Sequence, residues 1–177
     1  MEQITLKDGR TAYLRRMRAS DYEKAIAFLD RVGRESKFTN QYPGRPPMEK
    51  EKCVAGYEDD INHWFLGAFD SADQLIGVIS FGVNHPDHPW TGRNCSFGLS
   101  ILNDFWGVGL GTILMDRLEA AARQKNMHRI EGEVRALNRR AISLYLKSGF
   151  EIDGLFKEDA FIDGAWQDTY HISKILE

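Results

Sequence analysis

Three glycines at alternate positions are the first feature of the sequence that could support chemistry. Gly107, Gly109 and Gly111 lie in the stretch NDFWGVGLGT, which leads into the amphipathic run TILMDRLEAAARQK. Glycine is favoured where φ must be positive or where another group approaches the backbone closely. A helix N-terminus attracts anions, because its N–H groups are unpaired and its end of the helix dipole is positive. The pattern therefore predicts a phosphate-bearing ligand, although a tight strand-to-helix turn would use the same glycines.

The spacing of these glycines does not match two familiar phosphate-binding motifs. A dinucleotide-binding G-x-G-x-x-G that begins at Gly107 would need glycine at position 112, where Thr112 stands. A P-loop ends in Gly-Lys-Ser/Thr, and the first lysine after the glycines is Lys125. The phosphate ligand must therefore be identified from other parts of the chain.

A second candidate group lies about thirty residues later, in NRRAISLYLKSGF. Asn138 and Tyr145 are seven residues apart in this stretch, which is nearly two helical turns. A helix would therefore place both side chains on one face, together with Ala141 and Ile142. Without further information, Asn138 could be only a helix cap and Tyr145 only a core residue.

The two stretches FWGVGLGTILMDRLEAAA and NRRAISLYLKSGF resemble, in this order, the GNAT superfamily of acyl-CoA-dependent N-acetyltransferases. The family's helix pattern, Asn-x-x-Ala-x-x-Leu-Tyr-x-x-x-Gly-Phe, is filled here by Asn138, Ala141, Leu144, Tyr145, Gly149 and Phe150. Its loop pattern, Gln/Arg-x-x-Gly-x-Gly/Ala, is met by Gly109 and Gly111, with Trp106 where Gln or Arg is usual. Both ends of the chain also look like the ends of such enzymes, so the likeness covers nearly the whole sequence.

The resemblance implies that the glycine loop wraps the pyrophosphate of coenzyme A, and that acetyl-CoA is the co-substrate, with no metal. A backbone N–H from Ser100 to Leu102 would meet the oxyanion. Asn138 would hydrogen-bond the pantetheine arm, and Tyr145 would protonate the departing thiolate. Arg140 could reach the adenosine 3′-phosphate or could be solvated. The predicted cofactor-binding residues are Ile101, Leu102, Trp106, Gly107, Val108, Gly109, Leu110, Gly111, Thr112, Asn138 and Arg140.

Direct attack by an amine also requires a proton acceptor, because a lysine-like amine has a pKa near 10.4. Many family members place a glutamate in the strand that reads NCSFGLSIL here, and Ser96 holds that position. Glu133, in the alternating run RIEGEVR, is the remaining carboxylate candidate. Alternation could equally point its side chain into solvent. The predicted catalytic residues are thus Tyr145 and Glu133.

The surrounding sequence predicts the elements that position these residues. ITLKDGRTAYLRRM predicts a hairpin, and Ser20 or Asp21 could cap the helix that follows. After a proline-rich loop and a weaker helix, the runs HWFLGAFD, QLIGVISFGVN and RNCSFGLSIL predict an antiparallel meander. The remaining chain predicts a helix, the strand RIEGEVR, a helix capped by Asn138, and two strands joined at Asp163-Gly164.

This order predicts a mixed α/β (α+β) fold. The resemblance implies a central twisted, mostly antiparallel sheet of about seven strands, flanked by about four helices. No repeat, low-complexity tract or linker is visible, so residues 1–177 are predicted to form a single GNAT-type acetyltransferase domain.

Composition restricts the partners and the compartment. The net charge of -3 lacks the basic excess of a general nucleic-acid binder. No apolar run is long enough for a membrane span. Cys53 and Cys95 lack zinc spacing and suggest reduced thiols in a cytoplasmic protein. His85 and His88 show no third metal ligand, and a homodimer is consistent with the family.

The predicted function is transfer of an acetyl group from acetyl-CoA to a primary amine of a small molecule, peptide or protein, by direct attack in a ternary complex. The alternative is a non-catalytic acyl-CoA sensor or interaction module with the same fold. A nucleotide-binding regulator is a third possibility. Tyr145 favours the enzyme, because a sensor has no use for a proton donor at the sulfur.

Overall fold

A computed structural model of the chain describes residues 1–176. The strands are Glu2–Thr5 (β1), Thr11–Arg16 (β2), His63–Phe69 (β3), Leu75–Val83 (β4), Asn94–Ile101 (β5), Arg129–Arg135 (β6), Glu151–Ile162 (β7) and Ala165–Ile175 (β8). The α-helices are Tyr22–Glu35 (α1), Lys50–Glu58 (α2), Leu110–Gln124 (α3) and Arg139–Lys147 (α4). Short 3₁₀ turns cover Ala19–Asp21 and Asn103–Phe105. Within residues 1–176, no helix is long and apolar enough to cross a membrane.

The predicted fold class is confirmed. The strands follow the sheet order β1-β2-β3-β4-β5-β6-β8-β7, and the described chain has four α-helices. The sheet has eight strands rather than about seven, because both segments of the opening hairpin pair as strands. The meander β3-β4-β5 and the final hairpin β7-β8 are present as the sequence predicts.

The chain divides into two compact units. Unit 1 comprises Met1–Gly82 and Gly98–Leu118, and unit 2 comprises Val83–Phe97 and Glu119–Glu177. Strand β5 and helix α3 therefore contribute residues to both units.

Unit 1 contains an antiparallel ladder of the first four strands. Helix α1 buries Ala25, Phe28 and Val32, whose helical spacing gives it one apolar face. Helix α2 lies against β3 through Tyr57, whose ring meets that of Phe65 edge-on at 5.1 Å. Both helices thus use apolar side chains to hold their positions.

The N-terminus of α1 differs from the sequence prediction. Ser20 lies within the 3₁₀ turn, and the Asp21 side chain makes no capping hydrogen bond to α1. Arg15 instead donates two hydrogen bonds to the buried Asp21 carboxylate, at 2.6 and 2.8 Å, and the Arg18 N–H donates a third at 2.9 Å. Burial alone would raise the pKa of Asp21, but these bonds hold it below its ordinary value. Asp21 thus occupies the N-cap position, as the sequence predicts, but it makes no capping hydrogen bond because an ion pair with β2 takes the carboxylate.

Unit 2 is built on the neighbouring strands β6, β8 and β7, which pair antiparallel. Strand β5 adds a parallel ladder to β6 over three residue pairs that end at Ser96↔Glu131. A Cβ on Gly132 would lie 2.6 Å from the Phe97 ring, so glycine is needed for this ring to cross β6. The turn Asp163-Gly164 has positive φ at both residues, as a two-residue hairpin requires.

Candidate active site

The glycine loop lies between the 3₁₀ turn Asn103–Phe105 and helix α3. Gly107 and Gly109 have φ angles of +77° and +90°, which side chains rarely adopt. A Cβ on Gly107 would meet no atom of residues 1–176 within 4 Å, so the space beside this backbone is open. Gly111 differs, because it is the second residue of α3. The first two glycines shape the loop, and the third lies in the first turn of the helix.

The backbone N–H groups of this loop are available to a ligand. The N–H groups of Gly107, Val108 and Gly109 donate no hydrogen bond to any acceptor in residues 1–176. The N–H of Ile113 donates to the carbonyl of Gly109, so the first turn of α3 begins with unpaired donors. Loop and helix end together present consecutive amide donors, which suits a phosphate group.

Trp106 has a structural role at the position where Gln or Arg is usual. Its indole Nε1–H donates a 2.8 Å hydrogen bond to the carbonyl of Ile101. The N–H of Leu102 donates to the carbonyl of Ile76, and is therefore already paired. The candidate oxyanion donors are the backbone N–H groups of Ser100, Ile101 and Leu102. The N–H of Leu102 would have to break its bond to Ile76 before it could bind an oxyanion.

The loop is fastened to the C-terminal end of α1. Glu35 accepts a 2.9 Å hydrogen bond from the backbone N–H of Asn103, and its own carbonyl accepts one from the Asn103 amide at 3.2 Å. Arg31 bridges Glu35 and Asp104, with contacts of 2.5 and 2.6 Å. We call these four residues the loop anchor. None was proposed from the sequence, because i,i+4 charge pairs such as Arg31–Glu35 are common on solvated helices.

Helix α4 carries the other predicted residues. Asn138 Oδ1 accepts a 3.2 Å hydrogen bond from the N–H of Ala141, which confirms it as the N-cap. Gly149 follows the helix end with φ of +82°, which confirms it as the stop signal. Arg140, in the first turn, is exposed.

Tyr145 is a buried tyrosine whose hydroxyl forms no hydrogen bond within residues 1–176. Its ring meets that of Phe97 edge-on at 5.3 Å and that of Phe150 at 6.2 Å. Burial raises the pKa of Tyr145 to about 12, so the hydroxyl keeps its proton at neutral pH. The side chain is thus held rigidly, and its proton remains free for donation.

Glu133 is exposed on β6, and no side chain in residues 1–176 bonds to it. Glu131, two residues earlier, has several partners. Its two oxygens accept hydrogen bonds from Asn84 at 2.6 Å and from Arg129 at 2.9 Å, and Ser96 donates to Asn84 at 2.7 Å. Glu131 and Glu133 are two residues apart on β6 and share a face, and alternation in the sequence could not tell which one had partners.

Potential metal ligands and thiols are the remaining groups that could support chemistry. Within residues 1–176, no group of three or more potential ligands is close enough to hold a metal. The rings of His85 and His88 are 6.4 Å apart in the loop after β4. Cys95 is fully buried, and burial raises its pKa to about 12, so it stays a protonated thiol.

Comparison with protein families gives a clear match. The model described as "Acetyltransferase (GNAT) family" matches residues 29–150. Among curated proteins, the L-methionine sulfoximine/L-methionine sulfone acetyltransferase of Pseudomonas paraeruginosa is 26% identical over 145 residues, which is 80% of each chain.

Solved structures with the same fold include two that cover nearly the whole chain. The acetyltransferase of the GNAT family from Streptococcus pneumoniae matches with a TM-score of 0.85 and 24% identity, over 94% of this chain and 99% of that one. The protein yncA of Salmonella typhimurium, solved with its cofactor acetyl-CoA, matches with a TM-score of 0.79 and 17% identity, over 94% of each chain.

Proposed function

Because the chain belongs to the GNAT family of acetyltransferases, we propose that its glycine loop and helix α4 carry out acetyl transfer from acetyl-CoA to a primary amine. The chain is an N-acetyltransferase, and acetyl-CoA is its co-substrate. The site assignment rests on Gly107 and Gly109, which have positive φ and lie directly before a helix. Their N–H groups donate no hydrogen bond within residues 1–176.

The loop binds and orients the co-substrate. The N–H groups of Gly107, Val108 and Gly109 bind the pyrophosphate, together with those of Leu110, Gly111 and Thr112 in the first turn of α3. The open space beside Gly107 supports this role, because a phosphate needs room next to the backbone. Trp106, Ile101 and Leu102 hold the loop and the end of β5 in register. Arg140 adds positive charge for the 3′-phosphate.

Helix α4 supplies the polar groups for transfer. Acetyl-CoA provides an activated acyl group as a thioester, whose sulfur leaves as a thiolate. Tyr145 holds a proton at its hydroxyl oxygen, because its raised pKa keeps the phenol protonated, and it gives this proton to the departing sulfur. Asn138 keeps its cap bond through Oδ1, so its amide NH₂ remains able to donate to the pantetheine arm.

The acceptor is the primary amine of an amino acid, a polyamine or a peptide. The curated Pseudomonas relative is named for L-methionine sulfoximine and L-methionine sulfone, so amino-acid amines come first in a screen. A suitable panel contains L-methionine sulfone, spermidine and a short peptide with a free N-terminus. We expect thiol release above the rate without amine for at least one of the three.

Calorimetric titration tests the loop assignment. Acetyl-CoA should bind, whereas ATP and NAD should not. Replacing Gly107 with Asn, which tolerates positive φ, should weaken binding at least about tenfold, because the side chain would occupy the phosphate position. Gly164→Asn is the matched control, since Gly164 also has positive φ and open space. Equal affinity in the two variants would remove the loop from the binding site.

Two further properties are proposed with the function. The protein acts in the cytoplasm, a proposal supported by its two unpaired cysteines, Cys53 and Cys95. It forms a homodimer, which is supported by large apolar side chains left exposed on the hairpin β7-β8.

A further inference from the structure

The proton acceptor for the amine, for which the sequence offered only Glu133, is the subject of a further proposal, which rests on the proposed function. Most alkyl amines are protonated at neutral pH, and an ammonium group has no lone pair with which to attack a carbonyl. A group in the protein must take that proton. A good acceptor is a side chain that titrates near neutral pH and is held in one orientation by a partner.

His63, the first residue of β3, is held in this way. Its Nδ1 donates a 2.8 Å hydrogen bond to Oδ2 of Asp59. The other oxygen of Asp59 accepts the backbone N–H groups of Ile61 at 3.0 Å and Asn62 at 2.9 Å. The bond from Asn62 and the contact with His63 lower the pKa of Asp59 to about 2. The carboxylate is therefore charged and fixed when it orients the imidazole.

The second nitrogen of His63 is left available. With Nδ1 as the donor, Nε2 of the neutral ring carries the lone pair. Nε2 has no hydrogen-bond partner among residues 1–176, and the side chain is 43% exposed. A Cβ placed on Gly82, the registered partner of His63 on β4, would lie 3.3 Å from Cδ2 and 3.5 Å from Nε2. The imidazole therefore leans from β3 over Gly82 of β4.

The same face of unit 1 stays open next to His63. Phe65 lies two residues along β3 from His63 and is registered with Ser80 on β4. A Cβ on Gly98 of β5 would lie 3.9 Å from Ser80 Oγ. Gly82, Ser80 and Gly98 thus form a floor of very small residues. Adjacent strands are about 4.8 Å apart, so a ring that lies over Gly82 of β4 is about one strand spacing from β5.

Strand β5 is the strand that leads into the glycine loop. Ser100 follows Gly98 by two residues, and β5 ends at Ile101. A backbone N–H of Ser100 or Ile101 is the proposed oxyanion donor. All of these residues belong to unit 1, so the open floor connects the imidazole to the acyl-binding strand within one compact unit.

The carboxylates of β6 and the histidine beside them do not combine an orienting partner with a free acceptor atom. Glu133 has no orienting partner in the described chain, and both oxygens of Glu131 already accept hydrogen bonds. His171 lies 3.9 Å from Glu131 and 3.8 Å from Asp153, which is beyond hydrogen-bond distance. His63 is the histidine with a carboxylate at 2.8 Å.

We propose that Nε2 of His63 is the general base of acetyl transfer, and that Asp59 is its positioning residue. Nε2 takes a proton from the ammonium group, directly or through one water. The freed lone pair forms the new C–N bond as the C–S bond breaks. The amine sheds its second proton to water, and the thiolate receives its proton from Tyr145. The imidazolium then returns its proton to solvent, and the Tyr145 phenolate takes a proton back from solvent.

The charged surroundings of His63 are simple. Asp59 is its ion-pair partner within 4.0 Å in residues 1–176. From β2, Arg16 bonds to the carbonyl of Phe65 at 3.1 Å and to Asp60 at 2.7 Å. From α2, Tyr57 contacts Phe65, and burial raises its pKa to about 12. Gly82 of β4 carries no ionisable side chain. Asp59 is therefore the group that sets the orientation of the ring.

The kinetic test uses His63→Gln with the most active amine of the panel, from about pH 6 to pH 9.5. We expect kcat/KM to fall at least about 100-fold near neutral pH, the usual share of a general base. The deficit should shrink as pH rises, because solvent then supplies neutral amine. Acetyl-CoA affinity should not change, and the control His85→Gln should behave as wild type. A normal rate, or a loss of constant size at all pH values, would overturn the proposal.

A second measurement needs no acceptor. ¹⁵N NMR of the wild-type protein should show neutral His63 as the Nδ1–H tautomer, and Asp59→Asn should reduce that preference. An Nε2–H tautomer in the wild type would overturn the proposal even if no amine of the panel reacts. Absence of acetyl-CoA binding would instead count against the loop assignment, so the two failures are distinguishable.

Discussion

At the scale of single residues, Tyr145 combines a buried ring with a hydroxyl group that forms no hydrogen bond in residues 1–176. A buried phenol usually finds a hydrogen-bond partner, yet this hydroxyl has none in residues 1–176. Its ring is fixed by Phe97 and Phe150. A tyrosine kept only for packing would lose little if the hydroxyl were removed, whereas a proton donor would lose its function.

Tyr145→Phe should therefore lower turnover and leave binding intact. We expect kcat to fall about 10- to 100-fold, since general acid catalysis at sulfur supplies a modest share of the rate. Calorimetry should give an acetyl-CoA affinity within about twofold of wild type. Tyr13→Phe is the control for loss of a phenol elsewhere. A variant with wild-type kcat would show that Tyr145 is a core residue.

At the scale of elements, the loop anchor makes α1 a support of the proposed co-substrate loop. Glu35 holds the N–H of Asn103, and Arg31 joins Glu35 to Asp104 directly before the glycine loop. The loop has few bonds of its own, since its N–H groups must stay free. Its geometry therefore depends on neighbours such as this anchor.

Glu35→Ala should weaken acetyl-CoA binding about three- to tenfold, because a loosened loop pays an ordering cost on binding. Asp30→Ala removes a comparable i,i+4 pair, with Arg34, from the same helix and is the matched control. Calorimetry distinguishes the two. Hydrogen exchange should rise at residues 103–109 in the first variant only, and equal affinities would show that the loop holds its shape without the anchor.

Local patterns in the sequence predicted the elements well and their long-range partners poorly. The cap at Asn138 and the stop at Gly149 depend on neighbouring residues, and both are confirmed. Asp21 lies at the predicted N-cap position but makes no capping bond, because its partner Arg15 belongs to strand β2. The His63–Asp59 pair has helix-like i,i+4 spacing but lies at a turn, so periodicity gave no signal for it. Long-range contacts are set by packing, which a local pattern does not encode.

At the scale of the whole molecule, strand β7 ends the sheet order and leaves apolar side chains uncovered. Phe161 and Trp166 face each other across the final hairpin, at 5.2 Å, and are 62% and 60% exposed. Further exposed apolar side chains on this hairpin are Ile152, Leu155, Phe156 and Ile175. Exposed apolar patches on folded proteins often mark association surfaces.

We expect light scattering to give a mass of about twice the 20.2 kDa of one chain. Replacing Phe161 and Trp166 together with Ser should shift the mass toward that of one chain, because the apolar contact is lost. The control is Tyr42→Ser, which changes an exposed aromatic residue in unit 1. A monomeric wild-type protein would contradict the proposal.

The two buried cysteines can report local unfolding of the protein through their chemical modification. Cys53 belongs to unit 1 and Cys95 to unit 2, and burial raises the pKa of both thiols. An alkylating reagent can therefore modify each thiol only after its own surroundings have opened. Pulsed labelling followed by mass spectrometry would time the two events separately. Each unit thus contains one buried thiol, and the labelling rates of the two thiols would show whether the chain unfolds in one step or two.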